Sequence, residues 1–249
     1  MLSVRALGHH FGGVKAVDDV SFEVTAGRVH SVIGPNGAGK TTLFNLISGM
    51  YRPATGHVVL AGEDVTGLPP EQLARRGMSR TFQNLRLFMN MSARENVMVG
   101  GHLRAPGSLL RSLLGGTRAA DQQLHSEACD LMSFVGISHA LDAQASQLSY
   151  GDLKRLELAR ALAARPRILL LDEPAAGLND TETHELGELI SKIAAQGITV
   201  LLVEHDMKMV MSISHHVVVM ADGRKLADGT PAEVSRNPAV IEAYLGATA

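Results

Sequence analysis

The chain has 249 residues, 45% of them hydrophobic and 19% charged, which is enough apolar material for a sizeable core and too much for a disordered chain. Lys and Arg number 23 against 25 Asp and Glu, so the net charge is −2 and a large basic nucleic-acid surface is excluded. The single cysteine, Cys129, excludes an intrachain disulfide and fits a reducing compartment.

The first ten residues lack a basic start followed by a long apolar stretch, so no cleaved signal peptide is expected. Strand candidates follow at residues 20–24, 29–33 and 56–60. Between the last two, residues 41–49 turn helical, with Leu43, Leu46 and Ile47 on one face. From about 92 to 164 the signals are helical, interrupted at 101–116 by a loop or insertion carrying Pro106, Gly107, Gly115 and Gly116. The last third alternates strand 168–171, helix 181–196 and strand 199–203, the pattern of βαβ units on a buried parallel sheet. Residues 216–220 and 224–227, joined by Ala221-Asp222-Gly223, read as a closing hairpin. No apolar run approaches the roughly 20 residues that span a bilayer. The runs ending in Leu171 and Val203 stop at Asp172 and Glu204, so any membrane role is expected to come through a partner.

Gly34-Pro35-Asn36-Gly37-Ala38-Gly39-Lys40-Thr41 matches the P-loop pattern between an apolar strand and a helix. Glycines at 34, 37 and 39 let backbone N–H groups approach phosphate oxygens, and the helix N-terminus adds its positive dipole end. Lys40 is the candidate for the β- and γ-phosphates, and the Thr41 hydroxyl for Mg²⁺, with Thr42 following it. A plain Gly-rich turn would not need the Lys and Thr as well. Asp172 and Glu173 end the strand at 168–171, on the sheet edge where α/β proteins bind ligands. Asp172 suits a Mg²⁺ role and Glu173 a general base toward water. On their own they also fit a solvated strand end.

Leu148-Ser149-Tyr150-Gly151-Asp152 opens a helix with Leu153, Leu156, Ala159 and Ala163 on one face and Lys154, Arg155 and Arg160 on others. Alone it is a Ser-capped helix start. With the two sites above it resembles the signature motif of ATP-binding-cassette ATPases, and the resemblance covers nearly the whole chain. It implies an α/β fold: a P-loop NTPase core with a mixed, largely parallel sheet, an antiparallel β subdomain and a helical signature subdomain. Residues 1–249 would form one such domain, with the core at 1–85 and 165–249, the helical part at about 86–164 and an insertion near 101–118.

By the same resemblance Gln83 is the glutamine that touches Mg²⁺ or the attacking water, His205 the switch histidine at the γ-phosphate, and Phe11 the aromatic that stacks on adenine. Ser149 and Gly151 would contact the γ-phosphate held by a second cassette in a head-to-tail ATP dimer. Taken singly, a Gln, a Phe and a His each have an ordinary solvated or packing role.

Tyr150 and Asp152 stand where the signature usually has a glycine and a glutamine, and Asn179 replaces the usual acidic residue of its loop. Together with Ala175-Ala176-Gly177-Leu178-Asn179, residues 204–207 and the tail 237–246, they resemble the larger ATPase subunit of the branched-chain amino acid importer family. That implies ATP hydrolysis with Mg²⁺ at the inner face of the membrane. The expected partners are a second ATPase, two permeases and, indirectly, an external binding protein, with no nucleic acid. The alternatives are a urea or amide importer, a lipid exporter, or a soluble cassette outside transport. The segment 82–97, with Leu85, Leu87, Phe88 and Met89, is the candidate permease contact, with simple core packing as the alternative, and Cys129 and the methionines are expected to pack.

Overall fold

The computed structural model describes residues 1–81, 85–102 and 117–245. They divide into two compact units, residues 1–80 with 167–249 and residues 81–166.

The first unit holds two sheets. The antiparallel sheet has the order β2-β1-β4-β5, from β1 (Leu2–Phe11), β2 (Val14–Val24), β4 (Thr55–Leu60) and β5 (Glu63–Asp64). The second sheet has the order β10-β9-β3-β8-β7-β6. Its members are β3 (Val29–Ile33), β6 (Met78–Arg80), β7 (Ile168–Asp172), β8 (Thr199–Val203), β9 (His216–Ala221) and β10 (Arg224–Gly229). Its strands run parallel except β10, which turns back on β9. Every residue of β3, β7 and β8 is buried, which explains the apolar runs of β7 and β8, while β3 buries His30 and Ser31 among its apolar residues. One core joins Leu2, Val20 and Val58 of the first sheet, Leu43 and Phe44 of helix α1 (Lys40–Ile47), and Leu170 and Leu201 of the second.

Strand β1 carried no strand signal in the sequence, and its geometry supplies the reason. Its pairing with β2 shifts register three times, and Ala6 and Asp19 adopt left-handed φ of 47° and 56°. Such bulges break the period of two that marks a strand. The β9–β10 hairpin instead turns on Asp222 and Gly223, at φ 48° and 76°, as the Asp-Gly pair requires.

The described residues of this unit also form α2 (Pro70–Arg75), α6 (Asp180–Ala195), α7 (Met207–Ile213), α8 (Pro231–Val234) and α9 (Pro238–Leu245). The second unit packs α3 (Ala93–Gly101), α4 (Thr117–Phe134) and α5 (Tyr150–Ala163) together. Within the expected insertion, residues 103–116 lie outside the described residues. Among the described residues no helix is long and apolar enough to cross a membrane.

Candidate functional site: a braced phosphate loop and the acidic ends of two strands

Residues 34–39 leave the buried end of β3 and enter α1 through two glycines that nothing larger can replace. A Cβ on Gly34 (φ 152°) would lie 2.1 Å from the carbonyl of Met220, and one on Gly39 (φ 93°) 2.2 Å from that of Ala16. Those neighbours are backbone and cannot swing aside, so the loop's close approach to β2 and β9 depends on glycine. The hairpin turn braces it further: the Gly223 N–H donates to the Ala38 carbonyl at 3.2 Å, and the Asp18 N–H donates to Gly223 at 2.8 Å. Arg224 fastens that arrangement through two bonds to Asp18 Oδ2, at 2.6 and 3.0 Å, holding the Asp18 carboxyl below its usual value. Burial pushes the Tyr244 phenol of α9 up, and the backbone of Gly34 opposes that shift.

Lys40 begins α1 with its side chain buried, and its Nζ donates to the carbonyls of Gly34 and Pro35 at 2.7 and 2.9 Å. Burial draws its pKa below the ordinary lysine value, and the charge of Glu173 opposes that shift. A cavity of about 510 Å³ opens over the loop, lined by Asn36, Gly37, Ala38, Gly39, Lys40, Thr41 and Thr42 from one side and by Glu173 and His205 from another. A glycine-rich loop, a helix N-terminus and an ammonium suit an anionic oxygen cluster.

The acidic end is assembled from β7 and β8. Glu173 adopts φ 49°, a conformation L-residues avoid, directly after β7. Its N–H donates to Val203 at 2.9 Å, and its Oε1 lies 2.9 Å from His205 Nε2. Asp172 is buried and accepts from Arg80 Nη2 at 2.7 Å. Arg80, on β6, also donates to Asn45 Oδ1 at 2.8 Å and Ser48 Oγ at 2.5 Å, and its guanidinium lies over the Phe44 ring. Sequence reading singled out neither Arg80 nor Glu204 for a role in the site. Only the register that sets β6 beside β7, and the loop geometry after β8, reveals them. Among the described residues no group of three His, Cys, Asp or Glu could hold a metal ion.

The remaining expected residues fall elsewhere. Phe11 ends β1, half-exposed and outside the cavity lining, with its ring edge-on to His9 and Tyr51 at centroid distances of 4.7 and 5.6 Å. Gln83 lies outside the described residues. Ser149 and Gly151 belong to the second unit, where Ser149 caps α5 by accepting from the Asp152 N–H at 3.1 Å. Lys154, expected on a face away from the apolar one, is buried instead, with its Nζ 5.6 Å from the centre of the Tyr150 ring. This burial was not anticipated by the amphipathic pattern alone. Asn179 caps α6 in a capping box with Glu182.

The family model described as ABC transporter matches residues 17–176, and one described as branched-chain amino acid ATP-binding cassette transporter matches residues 224–249. Over 249 residues the chain is 47% identical to BraF of Pseudomonas aeruginosa, covering 99% of this chain and 98% of that one. It is 45% identical to LivG of Escherichia coli with the same coverage. Both relatives are high-affinity branched-chain amino acid transport ATP-binding proteins. A solved ATP-binding cassette of an ABC transporter, MJ1267 in its ADP conformation, superposes with a TM-score of 0.87 at 33% identity, covering 99% of this chain and 98% of that one. The chain belongs to the ABC transporter family as an ATP-binding ATPase, in the group of the branched-chain amino acid transport ATP-binding proteins.

Proposed function

We propose that the chain is the ATP-hydrolysing subunit that powers an importer of branched-chain, hydrophobic amino acids. The observation that carries the hydrolytic half is the Glu173–His205 contact on the wall of the cavity over the phosphate loop. The cargo half rests on full-length kinship to BraF and LivG and on the tail model at residues 224–249.

In this reading residues 34–39 and the N-terminus of α1 cradle the β- and γ-phosphates. Lys40 leaves the Gly34 and Pro35 carbonyls to neutralise phosphate charge. Phe11, held edge-on by two rings, offers a face to adenine. Glu173 accepts the proton of the attacking water, and His205 holds the carboxylate and the γ-phosphate in register. Mg²⁺ fits the donor chemistry: Thr41 lines the cavity, Asp172 behind it at the end of β7 has a hard carboxylate whose Oδ2 is held by Arg80, and Mg²⁺ takes few protein ligands beside phosphate and water. The ion would neutralise phosphate charge, with Gln83 beside it by family resemblance. Ser149 and Gly151 would meet the γ-phosphate of a second cassette, at the N-terminus of α5.

The chain would sit peripherally at the cytoplasmic face of the membrane, with a second ATPase, two permeases and, indirectly, a substrate-binding protein. In the second unit buried Asn96 accepts from the Phe88 N–H at 2.8 Å and donates to the carbonyls of Phe88 and Ser92. The loop so fastened exposes Phe88 and Met89, the proposed permease contact.

The test is uptake of labelled leucine, urea and acetamide by cells lacking the gene, complemented with wild type or Glu173→Gln. The reading predicts leucine uptake restored by wild type alone, and permeases recovered with the tagged chain from membranes. Restored urea or amide uptake without leucine uptake would reassign the cargo. Recovery with no permease would remove the transport reading.

A further inference from the structure

The β7–β8 ladder ends where the chemistry begins. Its last backbone bond is the Glu173 N–H to the Val203 carbonyl, at 2.9 Å. Beyond it the two strands diverge, and the next N–H groups need other partners. Glu204 supplies them from a buried side chain that is 4% exposed. Its Oε1 accepts from the Ala175 N–H at 2.7 Å, across the gap, and its Oε2 accepts from the N–H groups of His205 at 2.8 Å and Asp206 at 3.3 Å. One carboxylate thus ties the loop that follows Glu173 to the loop that carries His205. A carboxylate is the side chain suited to this place, because it only accepts and can take several N–H donors at once.

We propose that Glu204 is a positioning residue that sets the distance between Glu173 and His205, an inference that rests on the hydrolytic reading of that pair. The 2.9 Å contact is made by two side chains on separate loops, and Glu204 is the bridge that fixes both backbones behind it. The Ala175 bond also couples the following segment, through Asn179 at the cap of α6, to the backbone of His205.

The experiment uses the full chain with Glu204→Gln, which is nearly isosteric but sets an amide N–H₂ against one of the N–H donors. Glu204→Asp is the second variant, retaining the charge and withdrawing the carboxylate by one methylene. Three quantities are read: kcat and KM for ATP, the melting temperature, and the ¹⁵N resonance of His205 Nε2. In Glu204→Gln, kcat falls at least about tenfold while KM stays within about twofold, as expected for misplacement of reacting groups in an intact binding site. The His205 resonance moves toward its position in Glu173→Ala, where the partner carboxylate is gone. Glu204→Asp shows a smaller change in the same direction, which keeps the test readable if the amide variant folds poorly. A lowered melting temperature with an unmoved His205 resonance would overturn the proposal, leaving Glu204 a structural staple. So would an unchanged kcat. The resonance needs no turnover, so a wild-type chain without ATPase activity would sink the hydrolytic reading while this result could still be read.

Discussion

The phosphate loop and the acidic ends of β7 and β8 face one cavity but are held in different ways. The loop is positioned by backbone: glycines pressed against the Ala16 and Met220 carbonyls, and a hairpin turn bonded to Ala38. The acidic end is positioned by side chains, with Arg80 on Asp172 and Glu204 bridging the loops of Glu173 and His205. Backbone placement leaves a spacing of glycines in the sequence. Side-chain placement leaves isolated charged residues, whose partners lie tens of positions away. In the proposed function the first region binds and the second reacts. Substitutions should separate the two.

The largest separation is expected from Glu173→Gln, which removes the proposed base while leaving the loop untouched. Its kcat should fall by about 10²- to 10⁴-fold with ATP affinity preserved, in steady-state ATPase and equilibrium binding assays.

Arg80→Ala should follow. It strips the buried Asp172 of its guanidinium partner, and breaking a buried pair in this way costs on the order of 3–5 kcal/mol. Chemical denaturation reads that loss directly, and the Mg²⁺-dependent part of ATP binding should weaken with it. An Arg80→Ala chain as stable as wild type would show that Asp172 is placed by something else.

How legible the two regions were follows from the same contrast. The parallel core and the phosphate loop could be read because fully buried strands and obligatory glycines restrict residue choice at each position. Strand β1 could not, because its bulges erase the alternation. Nor could Arg80: an arginine at the end of a three-residue strand looks like surface until β6 is set beside β7. Lys154 misled for a related reason, since its burial follows from the packing around its helix and not from the helix's own pattern.

A region away from both chemistries supplies a control. His30 on β3 is buried beside His216, and its Nε2 accepts from the Thr25 N–H at 3.0 Å. Burial first, and then the neighbouring histidines, lower its pKa from 6.5 to about 4. The unfolded chain therefore binds a proton there that the folded chain refuses, so stability falls as pH drops from about 6.5 to 4. The loss from this group is about 3 kcal/mol across that window. Denaturation at pH 7.5 and 4.5 should show His30→Gln with a flatter dependence than wild type. Equal slopes would mean that His30 is protonated in the fold.

Gly39→Ala forces a Cβ into the left-handed position, a strain on the order of 1–3 kcal/mol to which the 2.2 Å approach to the Ala16 carbonyl adds. Its effect on binding is larger than its effect on folding, because the displaced backbone is the phosphate cradle. ATP affinity should drop at least about tenfold while the Glu173–His205 contact persists.

The most direct measurement retains both variants on one footing: labelled ATP is incubated with wild type, Glu173→Gln and Gly39→Ala, and bound ATP and released phosphate are counted over time. Wild type should bind and release phosphate, Glu173→Gln should hold intact ATP, and Gly39→Ala should hold little of either nucleotide. Phosphate release by Glu173→Gln at the wild-type rate would contradict the division into a binding end and a reacting end.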